Sequence, residues 1–349
     1  MRRTTGKLLA VAAVAGVLAG ATGGTALADP PVPPNAADIV GVGSHTTGPL
    51  FGQLSTDYNA YLAGLGDTTS PRLHSWDATG SSPITPKSGA PVIARPSTAG
   101  AGLTALDTVP NGVDFARVDR APQTGDLSTD LFVAFAKDAV TWAAKSGGHA
   151  PANLTTAQLK GIYECTVTNW QQVDPALPPA AIKPFLPQAG SGTRTFFLRA
   201  VGGGGTPIYP GPCVTTGPQE NQGTDPVLND PDVVFPYSVG HYVGQVYGGH
   251  FTPTDAPGPL TVRNLNGLAP VAVPTGTINA AFAASAYGRV LYDVVRQADW
   301  NAGDTRATAL RNIFANAGWI CRSVTAQADV RSYGFLLLPA AACGSSTHI

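Results

Sequence analysis

Charge is what this chain has least of. Asp, Glu, Lys and Arg make up 12% of its 349 residues, and 21 basic residues stand against 22 acidic ones. A nucleic-acid partner requires a basic face that neutralises phosphates, so this balance argues against that class. Cysteine is scarce as well: there are four, none in a C-x-x-C spacing and none beside a His cluster, which disfavours a zinc site built on them. Beyond the N-terminal run there is no apolar stretch long enough to span a bilayer. No repeat of fixed period is visible. What the chain does have is 43% hydrophobic residues, enough for a real core, with 41 Gly and 31 Pro that imply many shaped loops.

The N-terminus reads as an export signal. Arg2, Arg3 and Lys7 precede an apolar run from Leu8 to Ala21, and Ala26-Leu27-Ala28 offers a cleavage site before Asp29. Residues 1–28 are therefore expected to be a signal peptide. No cysteine lies near the cleavage site to carry a lipid, and Arg2-Arg3 followed by Thr4-Thr5-Gly6 is a poor twin-arginine signal. The expectation is a monomer without a membrane anchor, secreted to the cell envelope or beyond. In an exported chain an even cysteine count suggests disulfides. Of the three possible pairings, the two local ones, Cys165–Cys213 and Cys321–Cys343, are preferred.

The most informative stretch runs from Gln188 to Leu198, a small-residue turn opening into an apolar helix. Ser191 or Thr193 is placed to cap that helix. Gly190 and Gly192 leave the backbone N–H groups uncovered, and the helix dipole adds partial positive charge. Such a terminus seats an oxyanion. A second turn of this kind lies at Gly43-Ser44-His45-Thr46-Thr47, at the end of a strand over 37–43 and before a helix marked by Leu50, Phe51, Leu54, Tyr58 and Tyr61. A third, Ser97-Thr98-Ala99-Gly100, precedes another short helix. Between these turns, the strand Val113–Ala116 ends in Arg117-Val118-Asp119.

Further strands are expected at 73–77, 131–135, 182–186, 233–246, 268–273 and 333–338, and helices at 155–163 and 306–317. Residues 287–296 read as strand or helix. Residues 201–233 look like an elaborated loop tied back by Cys213, in which Asp225, Asp230 and Asp232 form turns; no Glu closes a calcium-loop pattern. Alternating strands and helices imply an α/β fold, and two such halves would hold a ligand between them.

Other classes are weaker. A serine hydrolase would carry G-x-S-x-G, whereas Ser191 has glycine immediately on both sides; His149, His241 and His250 are its conceivable bases. A metal-dependent phosphatase would need clustered ligands, which the sequence does not display. Tyr237, Tyr242 and Tyr247 could face a partner, but their spacing fits neither a strand face nor a helix stripe. A secreted hydrolase or phosphatase-like enzyme and a non-transport interaction protein are the alternatives. No metal and no cofactor is expected. His45 lies inside the Gly43–Thr47 turn, where protonation would add positive charge.

Taken together, Gly41–Thr47, Ser97–Gly102, Val113–Asp119, Gly190–Thr193 and the segment Leu154–Tyr163 with Asn169-Trp170 resemble the phosphate-binding proteins of ABC importers, a branch of the type II periplasmic-binding-protein superfamily. The resemblance implies a two-lobed α/β fold with a ligand cleft between the lobes. Lobe 1 would comprise 29–135 and 285–349, and lobe 2 would comprise 136–284. It implies non-catalytic binding of a small oxyanion, phosphate first, and an ABC permease as partner. It places Ser191, Gly192 and Thr193 on the ligand from lobe 2, with Ser44, Thr46, Thr47, Ser97 and Thr98 from lobe 1. Asp119 would match the family's acidic acceptor. The family's Arg before the Gly-Ser-Gly-Thr turn is replaced here by Leu186-Pro187-Gln188, and Arg117 is the expected substitute.

Overall fold

The computed structural model describes residues 29–348. The expected signal peptide lies outside the described residues. In chain order the main elements are β1 (Ile39–Gly43), α1 (Gly48–Gly64), β2 (Leu73–Ser75), α2 (Ala99–Thr108), β3 (Phe115–Val118) and β4 (Asp130–Lys145). There follow α3 (Thr156–Tyr163), β5 (Lys183–Leu186), α4 (Gly192–Val201), β6 (Val233–Ser238), α5 (Val239–Val246), β7 (Gly288–Arg296), α6 (Thr305–Phe314) and α7 (Val324–Ser332).

The strands form one mixed sheet in the order β2-β1-β3-β7-β4-β6-β5. β1 is parallel to β2 and β3, and β5 is parallel to β6. β7 and β4 run antiparallel through the middle. β4 is the longest at 16 residues and links two lobes. Its first half pairs with β7, and residues 140–143 pair with β6.

Each lobe has its own core. On one face of the first, α1 packs Leu50, Phe51, Leu54 and Tyr58 against Phe115, Phe135, Leu310 and Ile313. On the other face Val42, Leu103, Leu106, Val118 and Phe132 cluster under α2. The second lobe is built on Trp142, Leu159, Ile162, Tyr163, Trp170 and Phe197. Trp142 and Trp170 are fully buried; each satisfies its indole N–H, on Asn264 O and Asp232 Oδ1 respectively. The cysteines pair as Cys165–Cys213 and Cys321–Cys343, with Cα–Cα separations of 5.9 and 5.7 Å. The first of these ties the long loop after α4 back to the end of α3.

Three expected strands come out differently. Residues 233–246 divide at Ser238 into β6 and α5, because the Ser238 hydroxyl accepts from His241 N and starts a helix. Of residues 268–273 only Val271–Ala272 join a ladder, and of 333–338 only Leu336–Leu337 do. The segment 287–296, ambiguous in sequence, is strand β7.

Candidate functional site

The parallel strands end at one place. The turn after β1, the residue after β3 and the turn after β5 all lie at the carboxyl ends of their strands, where α/β sheets present loops to a ligand. After β1 the chain forms a short 3-10 turn, His45–Thr47, capped by Ser44, whose hydroxyl accepts from Thr46 N. After β5, Gly190 takes a φ of +82° that a side chain would resist, and Ser191 then caps α4 by accepting from Arg194 N. Thr98 caps α2 in the same way through Ala101 N. Gly100 N donates to Gly190 O at 3.1 Å, so the turn that opens α2 touches the turn that opens α4.

Two carboxylates sit where these termini converge. Glu220, from the long loop, is fully buried. Its Oε1 accepts from Ser44 Oγ at 2.7 Å and from His45 N at 3.1 Å, while its Oε2 accepts from Ser191 Oγ. Asp119, after β3, is equally buried. Its Oδ2 accepts from Thr46 Oγ1 at 2.9 Å, Thr193 Oγ1 at 3.0 Å and Arg289 Nη1 at 2.9 Å. Its Oδ1 lies against Gly192, where a Cβ would collide with it, and has no hydrogen-bond partner. Glycine at 192 is therefore a condition for the carboxylate to reach the helix terminus.

Arg289, on β7, supplies the positive charge. It pairs with Asp119 and with Asp138, and its Nη2 donates to Thr193 Oγ1 at 3.1 Å. Burial alone would lower its pKa, but the charges of Asp119 and Asp138 outweigh that and raise it. Glu220 is pushed up, first by burial and then by the charge of Asp119. Asp138 faces a further helix terminus, accepting from Gly240 N and Ser238 Oγ at 2.8 Å each.

The structure thus brings together Ser44, Thr46, Asp119, Ser191, Gly192 and Thr193. Ser97 stands beside them through its carbonyl, which accepts from Gln188 and Gln219, and Thr98 is committed to its cap. Thr47 is buried at the head of α1 without a side-chain cap bond. Arg117 departs from the expected role. Its guanidinium donates to Ser44 O, Gly43 O and Ser75 Oγ, bracing the first turn from behind. Burial draws its pKa down to about 10. The cation beside Asp119 and Thr193 is Arg289 instead. Sequence inspection missed Arg289, Glu220 and Asn221, whose Nδ2 donates to Thr46 Oγ1 at 3.1 Å. Asp225 and Asp230 make local turn bonds, accepting from Val227 N and Asp232 N, whereas Asp232 departs from the turn-forming reading and accepts from the distant Trp170 Nε1.

A sequence profile of the PBP superfamily domain matches residues 31–316, and the chain belongs to that superfamily. Comparison with curated protein sequences finds no match. Among solved structures, an ABC-type phosphate transport receptor from Vibrio cholerae aligns at TM-score 0.55 and 17% identity, covering 86% of this chain and 100% of its own. A putative phosphate ABC transporter substrate-binding protein from Clostridium perfringens, with bound phosphate, aligns at TM-score 0.57 and 14% identity over 86% and 100%. At these identities the likeness shows the two-lobed fold. No described helix is long and apolar enough to cross a membrane.

Proposed function

We propose that this chain is a secreted, monomeric solute-binding protein that takes a small oxyanion between its lobes without covalent chemistry. Phosphate is the first choice, because two solved proteins of the same fold are described as a phosphate transport receptor and as a putative phosphate transporter substrate-binding protein with bound phosphate. An ABC permease is the corresponding partner. Lobe 1 comprises residues 29–135 and 285–349, and lobe 2 comprises 136–284.

The observation that carries the reading is the seat itself. Ser44 Oγ and His45 N from one lobe and Ser191 Oγ from the other converge on a single carboxylate, that of Glu220. These donors already hold an oxyanion, and it is the protein's own. An incoming anion displaces Glu220 and inherits its partners. Asp119 then tests the ligand's protonation, since its unpartnered Oδ1 has a lone pair for a ligand that brings a proton. A fully ionised anion such as sulfate meets only repulsion there.

The test is calorimetric titration of ligand-stripped protein with phosphate and then sulfate. The double variant Ser191→Ala/Thr193→Ala should keep its fold and lose at least about 100-fold in phosphate affinity, as hydrogen bonds to a charged ligand are worth ~1.5–3 kcal/mol each. Normal binding by that variant would overturn the site assignment.

A further inference from the structure

Next to the oxyanion turn lies a second cluster that the proposed function does not use. We infer that His45 Nε2, His241 Nε2 and Asp255 Oδ1 form a binding site for one divalent transition-metal ion of the zinc class, bridging the two lobes. The three atoms lie within 4.8 Å of one another. His241 Nε2 is 2.9 Å from Asp255 Oδ1, and His45 Nε2 is 3.7 Å from the same oxygen. Ligands at ~2.0–2.2 Å around a tetrahedral zinc stand about 3.3–3.6 Å apart, a separation that falls between these two distances. Two imidazoles and a carboxylate are a donor set that zinc accepts, with a fourth position left for water.

The surroundings fix which atoms face the cluster. His241 Nδ1 is 2.9 Å from Thr46 O, and only a protonated Nδ1 makes that bond. Neutral His241 therefore turns its Nε2 lone pair towards Asp255. Asp255 Oδ1 also accepts from Gln245 Nε2 at 2.8 Å, and Gln245 Oε1 is held in turn by Tyr237 Oη. Such outer partners orient metal ligands. His45 is fully buried, its Nδ1 has no partner, and its Nε2 has only the Gln222 amide, at 3.4 Å. A single proton could bridge His241 and Asp255 but would leave His45 Nε2 out, since 3.7 Å is beyond hydrogen-bond range. One ion serves all three groups. His45 belongs to the turn after β1, while His241 and Asp255 belong to α5 and the loop beyond it, so the ion would clasp the lobes shut.

This inference rests on the His and Asp geometry alone and stands apart from the oxyanion reading. The experiment uses the full purified chain, treated with a chelator and titrated with Zn(II) in phosphate-free buffer. Expected are one zinc per chain with a Kd below ~10 μM and a Tm raised by roughly 5 °C at saturating metal. Co(II) should give the intense visible absorption of a four-coordinate site. His45→Gln, His241→Gln and Asp255→Asn should each weaken binding at least ~30-fold. His45→Gln is the deciding variant, because that ring makes the fewest other bonds. No saturable zinc binding, a weak six-coordinate cobalt spectrum, or equal affinity in His45→Gln would overturn the inference.

Discussion

At the scale of single residues, the site is an excess of buried carboxylate over buried cation. Asp119, Asp138 and Glu220 surround Arg289, whose guanidinium pairs with the first two. A small anion entering such a place is disfavoured unless it brings a proton or replaces one of the charges. In the proposed function Asp119 is the residue that would detect the proton, since its Oδ2 is saturated by three donors while Oδ1 is free. Asp119→Asn replaces a pure acceptor by a group that can also donate. Sulfate affinity relative to phosphate should rise about 10-fold or more, corresponding to ~1.4 kcal/mol. Parallel titrations with both anions check this, and an unchanged ratio would remove the proton-sensing role from Asp119.

At the scale of elements, helix termini and helix faces carry charges that tune stability. Asp329 on α7 lies beside Asp57 on α1, close enough for the two carboxyl groups to share a proton. Burial, and then Asp57, pushes its pKa up to about 7. The folded chain therefore holds a proton that the unfolded chain releases near pH 4. This favourable contribution is complete below about pH 4 and is lost as pH rises to about 7. Asp329→Asn should raise stability by roughly 1 kcal/mol at pH 8, discounted for its partial exposure, with no gain at pH 4. Denaturant melts at the two pH values decide the matter. α1 itself was legible in the sequence, because its apolar residues recur at helical spacing over a polar opposite face. α5 was not. Residues 239–245 are all buried, polar His241 and Gln245 included, and the helix follows β6 with only the Ser238 cap between them, so no Gly or Pro break marks the change from strand to helix. The capped turns at Ser44, Thr98 and Ser191 could be found because capping needs particular residues at one point of the chain. Glu220 could not, since it sits in an aperiodic Gly/Pro loop. Arg289 left a trace: it shares the buried parity of β7 with Leu291 and Asp293, where apolar residues would be expected.

At the scale of the whole molecule, two cores share one sheet through β4 and β7, and everything that bridges them near the seat is polar. Glu220 and Asn221 reach Ser44, His45 and Thr46, and His241 reaches Thr46 O. The closed form is thus held by groups that an anion could replace, while the cores on either side need not change. Under the proposed function this arrangement is a reversible clamp, with Glu220 as its resident anion. In the proposed function an external oxyanion and Glu220 compete for the same donors. The most direct test is the phosphate affinity of Glu220→Ala against that of the parent chain, at the same salt and pH. Removing the resident carboxylate and its charge should tighten phosphate binding by at least ~10-fold, about 1.4 kcal/mol. Loss of binding in a folded Glu220→Ala protein, or an affinity equal to the parent's, would contradict the competition.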